Sequence, residues 1–215
     1  METTGFDLGW WFIFIFSIIP YTPIIIGVIK KTEDKSHTFL TWFLYLVLDV
    51  ITMFSGKNVR INMDPMVFGF AVGSLIMASI LIYQKRYAKW KTVEITTVIL
   101  IIICITIWKT MGSYYALISS ILAEVFVGVY LIIQTFKYPK TEYNLIGYIG
   151  FFIISILSVF STKAWIIQEV GFALSETILT FVILIPLIRK WWVENCGKYL
   201  INLSVLLILY QKKNW

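Results

Sequence analysis

The chain has 215 residues, of which 59% are hydrophobic and 14% charged, with a formal charge of +6 and a mean hydropathy of +0.84. Ordinary soluble domains carry about 25% charged residues, so a soluble globular domain is excluded and the natural unit is the membrane span of about 20 apolar residues. The basic excess is no nucleic-acid footprint either, because Lys and Arg stand singly between apolar runs and form no contiguous stripe.

Seven apolar runs predict an all-α, polytopic membrane protein with spans at about 10–29, 39–56, 65–83, 93–109, 112–136, 145–161 and 165–188. The first could be taken for a signal peptide. Acidic Glu2 and Asp7 stand where a positive leader would be, and no small-residue cleavage site follows, so the span is expected to be retained. Pro20 and Pro23 interrupt its hydrogen-bond ladder and predict a hinge lining a cavity, with a plain kink as the alternative. A polar loop at 30–37 holds His37, the sole histidine.

The second span carries Asp49. The third carries Gly69-x-x-x-Gly73, a spacing that lets helices approach closely. Only Lys109-Thr110-Met111-Gly112-Ser113 parts the fourth span from the fifth. The fifth holds Glu124, the sixth Ser155 and Ser158, and the seventh Glu176. A tail at 189–215 is expected to be cytoplasmic or interfacial, because its apolar stretch at 199–210 is too short to span and reads as a re-entrant or interfacial helix. Trp10, Trp11, Trp90, Trp108, Trp165, Trp191 and Trp192 all fall at span ends, where the headgroup level suits an amphipathic ring. Trp42 lies near a span end too. It reads as a belt anchor more readily than as a stacking platform.

Several chemistries drop out. Cys104 lies inside a span and Cys196 in the tail, so neither a disulfide framework nor a metal site is implied. One histidine and two distant cysteines cannot build a common zinc site. A Ser-His pair within the membrane is not available with His37 in a loop, and the seventh span has no central lysine for a Schiff base. No enzyme and no cofactor are expected.

Lysine and arginine set the orientation. With the N-terminus outside, the inner loops and the end of the seventh span hold Lys30, Lys31, Lys35, Lys85, Arg86, Lys89, Lys91, Lys137, Lys140, Arg189 and Lys190, eleven in all. The outer loops hold four: Lys57, Arg60, Lys109 and Lys163. The expectation is N-out and C-in.

The chain also resembles itself. An offset of 106 lays FLYLVLDVITMFSG (43–56) over IGFFIISILSVFST (149–162), with Trp42 on Tyr148, Tyr45 on Phe151, Asp49 on Ser155 and Ser55 on Ser161. An offset of 102 lays GFAVGSL (69–75) over GFALSET (171–177). The spans group as repeat one (10–83), a linker helix (93–109) and repeat two (112–188), both repeats crossing in the same direction. With Ile19-Pro20-Tyr21-Thr22-Pro23, the basic loop, Phe39-Leu40-Thr41-Trp42 and VYLIIQTFKYPKTE (129–142), this plan resembles the PQ-loop and SWEET group of membrane proteins, nearest in pattern to bacterial members. No Pro-Gln pair occurs, and Val127-Gly128-Val129 stands where the group has a proline. The resemblance implies a 3-1-3 fold and a bacterial inner-membrane location.

Three acids lie near span centres: Asp49, Glu124 and Glu176. Each costs about 2.5–3.5 kcal/mol at a helix centre, so together they are too expensive to face lipid. They are expected to line a shared cavity, with the structural alternative that each only hydrogen-bonds a neighbouring helix. Thr41, Tyr45, Asp49, Thr52 and Gly56 share one helix face; so do Gly147, Phe151, Ser155, Ser158 and Thr162. The expected cavity is Tyr45, Asp49, Thr52, Glu124, Ser155, Ser158 and Glu176, serving a small polar or cationic solute. The function this predicts is alternating-access transport, with proton coupling and homo-oligomerisation left open; a receptor-like or trafficking protein on the same fold is the alternative.

Overall fold

The computed structural model describes residues 8–30, 39–57, 64–85, 92–137, 139, 142–162 and 165–213. His37, Trp90, Lys163 and most of the loop cations fall outside them. The described residues form eight α-helices: α1 (Leu8–Ile18), α2 (Tyr21–Ile29), α3 (Phe39–Lys57), α4 (Pro65–Tyr83), α5 (Thr92–Met111), α6 (Ser113–Lys137), α7 (Glu142–Ser161) and α8 (Ile167–Lys213). They supply seven helical stretches long and apolar enough to cross a membrane, α1 and α2 together making the first. The protein is an all-α, seven-helix, multi-pass membrane protein.

Local chemistry explains the ends. Pro20 lacks an amide hydrogen, so the ladder between α1 and α2 fails at Ile19–Pro20, and the turn is closed by Thr22 N–H donating to the Ile19 carbonyl at 2.9 Å. Asp64 caps α4 by accepting from Met66 N–H at 2.9 Å, with Pro65 in the first turn. Between α5 and α6 a single residue, Gly112, turns the chain at φ +91°, a conformation that glycine adopts without a side-chain clash.

Apolar faces cannot drive helix association in lipid, so close contact between small residues must do so. A Cβ on Gly69 would come within 2.5 Å of Ser17 Cβ, and one on Gly73 would strike the ring of Tyr21. On the other side, a Cβ on Gly147 would lie 2.7 Å from Ile24 and one on Gly150 2.9 Å from Pro20. Glycine pairs on α4 and α7 therefore clasp the first span around its break.

The principal pairings are α1 and α2 with α4, α3 with α4, α6 with α8, α7 with α8, α3 with α6, and α1 and α2 with α7. Exchanging spans one, two and three for five, six and seven maps this set onto itself. The remaining span, α5, packs on α3 and α6 and turns Ile99, Ile102, Ile103 and Ile105 outward.

Three details differ from the sequence reading. The stretch 199–210 is not a separate helix: α8 runs unbroken from Ile167 to Lys213, because Arg189 and Lys190 end the apolar stretch without ending the helix. Trp10 is buried and stacks on Phe14 at 5.4 Å. Trp42 is half-buried and packs on Tyr21 and Tyr45 at 5.7 and 5.9 Å. Both rings find aromatic partners inside the bundle, which a position near a span end does not reveal. Trp11, Trp165, Trp191 and Trp192 are exposed.

Candidate functional site

The second span provides one wall. Steps of four and three bring Thr41, Tyr45, Asp49 and Thr52 to one face of α3. Ser74 on α4 donates to Asp49 Oδ2 at 3.0 Å. Tyr21 on α2 has its hydroxyl 3.4 Å from Ser74 Oγ and donates to the Phe70 carbonyl at 3.2 Å. Among the described residues Ser74 is the only hydrogen-bond donor to Asp49.

About one turn further along α3, the Thr52 hydroxyl donates to Glu124 Oε1 on α6 at 2.9 Å and lies 2.9 Å from Ser120 Oγ. Asp49 and Glu124 are each only 5% exposed. Burial of a carboxylate at that level is tolerable only with hydrogen-bond partners, and the hydroxyls of Ser74 and Thr52 are those partners.

The third acid is placed differently. Glu176 lies on the inward face of α8, flanked by buried Ala173, Leu179 and Thr180, yet it stays half-buried. It lies within electrostatic reach of Asp49, Tyr21 and Tyr45, and among the described residues no side chain donates a hydrogen bond to its carboxylate. Tyr45 and Tyr148 behave alike: both sit on inward faces, both are half-buried, and they interact with each other. Side chains that keep access on inward faces border a gap between helices.

Beside these groups aromatic rings pack on one another. Tyr21 meets Phe151 edge-on at 4.9 Å and Phe70 at 6.1 Å, Phe70 meets Phe151 at 5.3 Å, and Tyr148 meets Phe151 at 6.0 Å. Trp42 and Tyr45 extend the chain of rings. Edge-to-face pairs at these separations are individually worth about 0.5–1.5 kcal/mol beyond burial.

A narrow crevice between α3, α5 and α6 leads to Tyr45 from the side. It is lined by Thr41, Leu44, Tyr45, Glu94, Thr97 and Val127. Glu94 is 5% exposed, and Thr41 donates to its Oε1 at 3.3 Å. It stands in the first turn of α5, the helix end whose dipole favours acidic side chains. No protein-family model, no curated protein and no solved structure matches the chain.

Of the residues named from sequence, Tyr45 and Asp49 lie on the inward face of α3 and Glu176 on the inward face of α8, with Thr52 and Glu124 forming a bonded pair about a turn from Asp49. Ser155 is buried but its hydroxyl turns back to the Phe151 carbonyl at 2.7 Å; Ser158 is buried without a hydrogen bond to an acid among the described residues. Pro20 sits at the break of the first span, against Gly150, and Pro23 lies in the first turn of α2. Among the described residues no group of three or more His, Cys, Asp or Glu could hold a metal ion.

Sequence reasoning passed over Tyr21, Ser74, Tyr148 and Glu94 as site residues. Ser74 was visible in principle: the 102 offset lays it on Glu176, so each half has one acid where the other has a serine. Glu94 had a signal too, as the lone acid within the linker span. Tyr21 and Tyr148 had none, because a ring in a span reads as lipid-facing or core until its neighbours are known.

Proposed function

We propose that this chain is a small-solute membrane transporter that works by alternating access between two three-span halves, 10–83 and 112–188, joined by the linker span. The observation that carries the reading is the convergence of Asp49 from one half and Glu176 from the other on one gap. An intramembrane acid is costly, and acids of this kind characteristically face a solute or ion pathway. Two further observations support the two-half arrangement. The helix pairings are preserved when the halves are exchanged, and Phe70 packs on Phe172, its partner under the 102 offset, at 5.9 Å. Equivalent residues touch each other only near the axis that relates them. The broken first span, seated between glycines of α4 and α7, provides the point where one half can move against the other.

On this reading the resemblance to the PQ-loop and SWEET group reflects a common 3-1-3 plan, the N-terminus faces outward, and the membrane is a bacterial inner membrane. Reconstitution into proteoliposomes tests the function. Solute flux that follows an imposed gradient and is lost in Asp49→Asn is the expected result. Intact, well-folded protein that moves no member of a panel of cationic, neutral and anionic small solutes would leave a receptor-like role instead.

A further inference from the structure

The gap between the halves has a definite chemical character. It presents two carboxylates, each with an oxygen that no described residue occupies: Asp49 uses only Oδ2, on Ser74, and Glu176 accepts no hydrogen bond. Asp49 is almost wholly buried, so its remaining oxygen has little water to turn to. No Lys or Arg occurs within the central parts of any span, so neither acid has a cationic side chain at its own depth. The remaining wall is aromatic, with the half-buried Tyr45 and Tyr148 on inward faces and Tyr21, Trp42, Phe70 and Phe151 packed behind them. The crevice that reaches Tyr45 carries another buried acid, Glu94.

We infer that the gap is a binding site for a small organic ammonium ion, a solute with a positively charged nitrogen on a short apolar body and no carboxylate of its own. The carboxylates neutralise the ammonium and accept its N–H groups, a charge-assisted pairing stronger than neutral hydrogen bonds. Ring faces attract the same cation and cover its carbon skeleton. A neutral solute of equal size finds no donors to satisfy the acids. An anionic solute, or the carboxylate of an amino acid, finds only repulsion. A bare metal ion is served poorly, because two carboxylates among aromatic rings provide too few oxygen ligands for a hard cation.

This inference deepens the transport reading, resting on it only for the claim that the bound solute is carried; binding is tested without flux. Three probes share one carbon skeleton and differ in charge: n-propylammonium, 1-propanol and propionate. Saturation-transfer NMR on the full chain in detergent micelles should show n-propylammonium bound and the other two not. Asp49→Asn and Glu176→Gln should each weaken n-propylammonium binding by at least about tenfold, the loss of one charge-assisted pairing. Tyr148→Leu removes the ring face and should weaken binding several-fold. Elution of each variant as a monodisperse species separates lost binding from lost fold. Equal saturation of 1-propanol or propionate, or undiminished n-propylammonium binding in both acid variants, overturns the inference. Binding without flux would sink the transport reading and leave the site standing; flux of neutral or anionic solutes without ammonium binding would do the reverse.

Discussion

A methyl group added at position 73 would land on the ring of Tyr21, whereas at position 112 it would meet nothing within 4 Å and would instead be strained by a φ of +91°. The two glycines therefore predict different behaviour on replacement. Gly112→Ala should cost about 1–2 kcal/mol, the penalty of a left-handed L-residue, and lower the unfolding midpoint in detergent without altering binding. Gly73→Ala should cost about 1–3 kcal/mol as an over-packed contact. It should also disturb solute binding, because the displaced ring belongs to the tyrosine that touches Ser74. Thermal unfolding and n-propylammonium titration on the same samples distinguish the two; equal binding loss in both would contradict the assignment. Thr52→Val offers a third case. It preserves shape but takes the hydroxyl from Glu124, and should destabilise by about 1–3 kcal/mol because the carboxylate stays buried.

At the level of helices, the break at Pro20 is the feature with the clearest expected phenotype. Replacing Pro20 and Pro23 together by Ala restores both amide hydrogens and lets α1 run on into α2. Thermal stability should be kept or slightly raised, and flux in proteoliposomes should fall, if the break serves motion. Unchanged flux would reduce it to a static kink. Helices were also where the sequence was most readable. All seven spans follow from twenty-residue apolar runs bounded by charge, since a helix must satisfy its backbone within the bilayer. The inward faces of α3 and α6 were readable because polar residues at steps of three and four stand out against Leu and Ile. The remaining parts were hidden for physical reasons. Whether Trp42 anchors at a headgroup or stacks on Tyr21 depends on a neighbour 21 residues away, and the end of α8 was obscured because loss of hydrophobicity at Arg189 does not break hydrogen bonding.

For the whole molecule, the testable quantity is sidedness. With the N-terminus outside, eleven loop cations would face inward against four outward, so a cysteine introduced at Lys57 should react with an impermeant thiol reagent from outside, and one at Lys85 only after the membrane is opened. Reactivity of both from one side would remove the orientation and the relation between halves that depends on it. The same relation explains why the proposed site is lopsided. On the proposed two-half plan the offsets of 106 and 102 set Asp49 against Ser155 and Glu176 against Ser74.

The long α8, with Pro186 inside it, continues well past the seventh span. At 1.5 Å per residue its 47 residues extend about 70 Å, more than twice the roughly 30 Å hydrocarbon core. The part beyond Asn195 is about 27 Å long and continues the same helix that carries Glu176 past the gap. A tilt of about 10° in the seventh span, pivoted at the gap, would swing the far end, about 55 Å away, by roughly 10 Å, while side chains near the gap move far less. A spin label near Lys213 would thus report the rocking of one half more sensitively than any label within the bilayer, and a partner that held that end still would brake it.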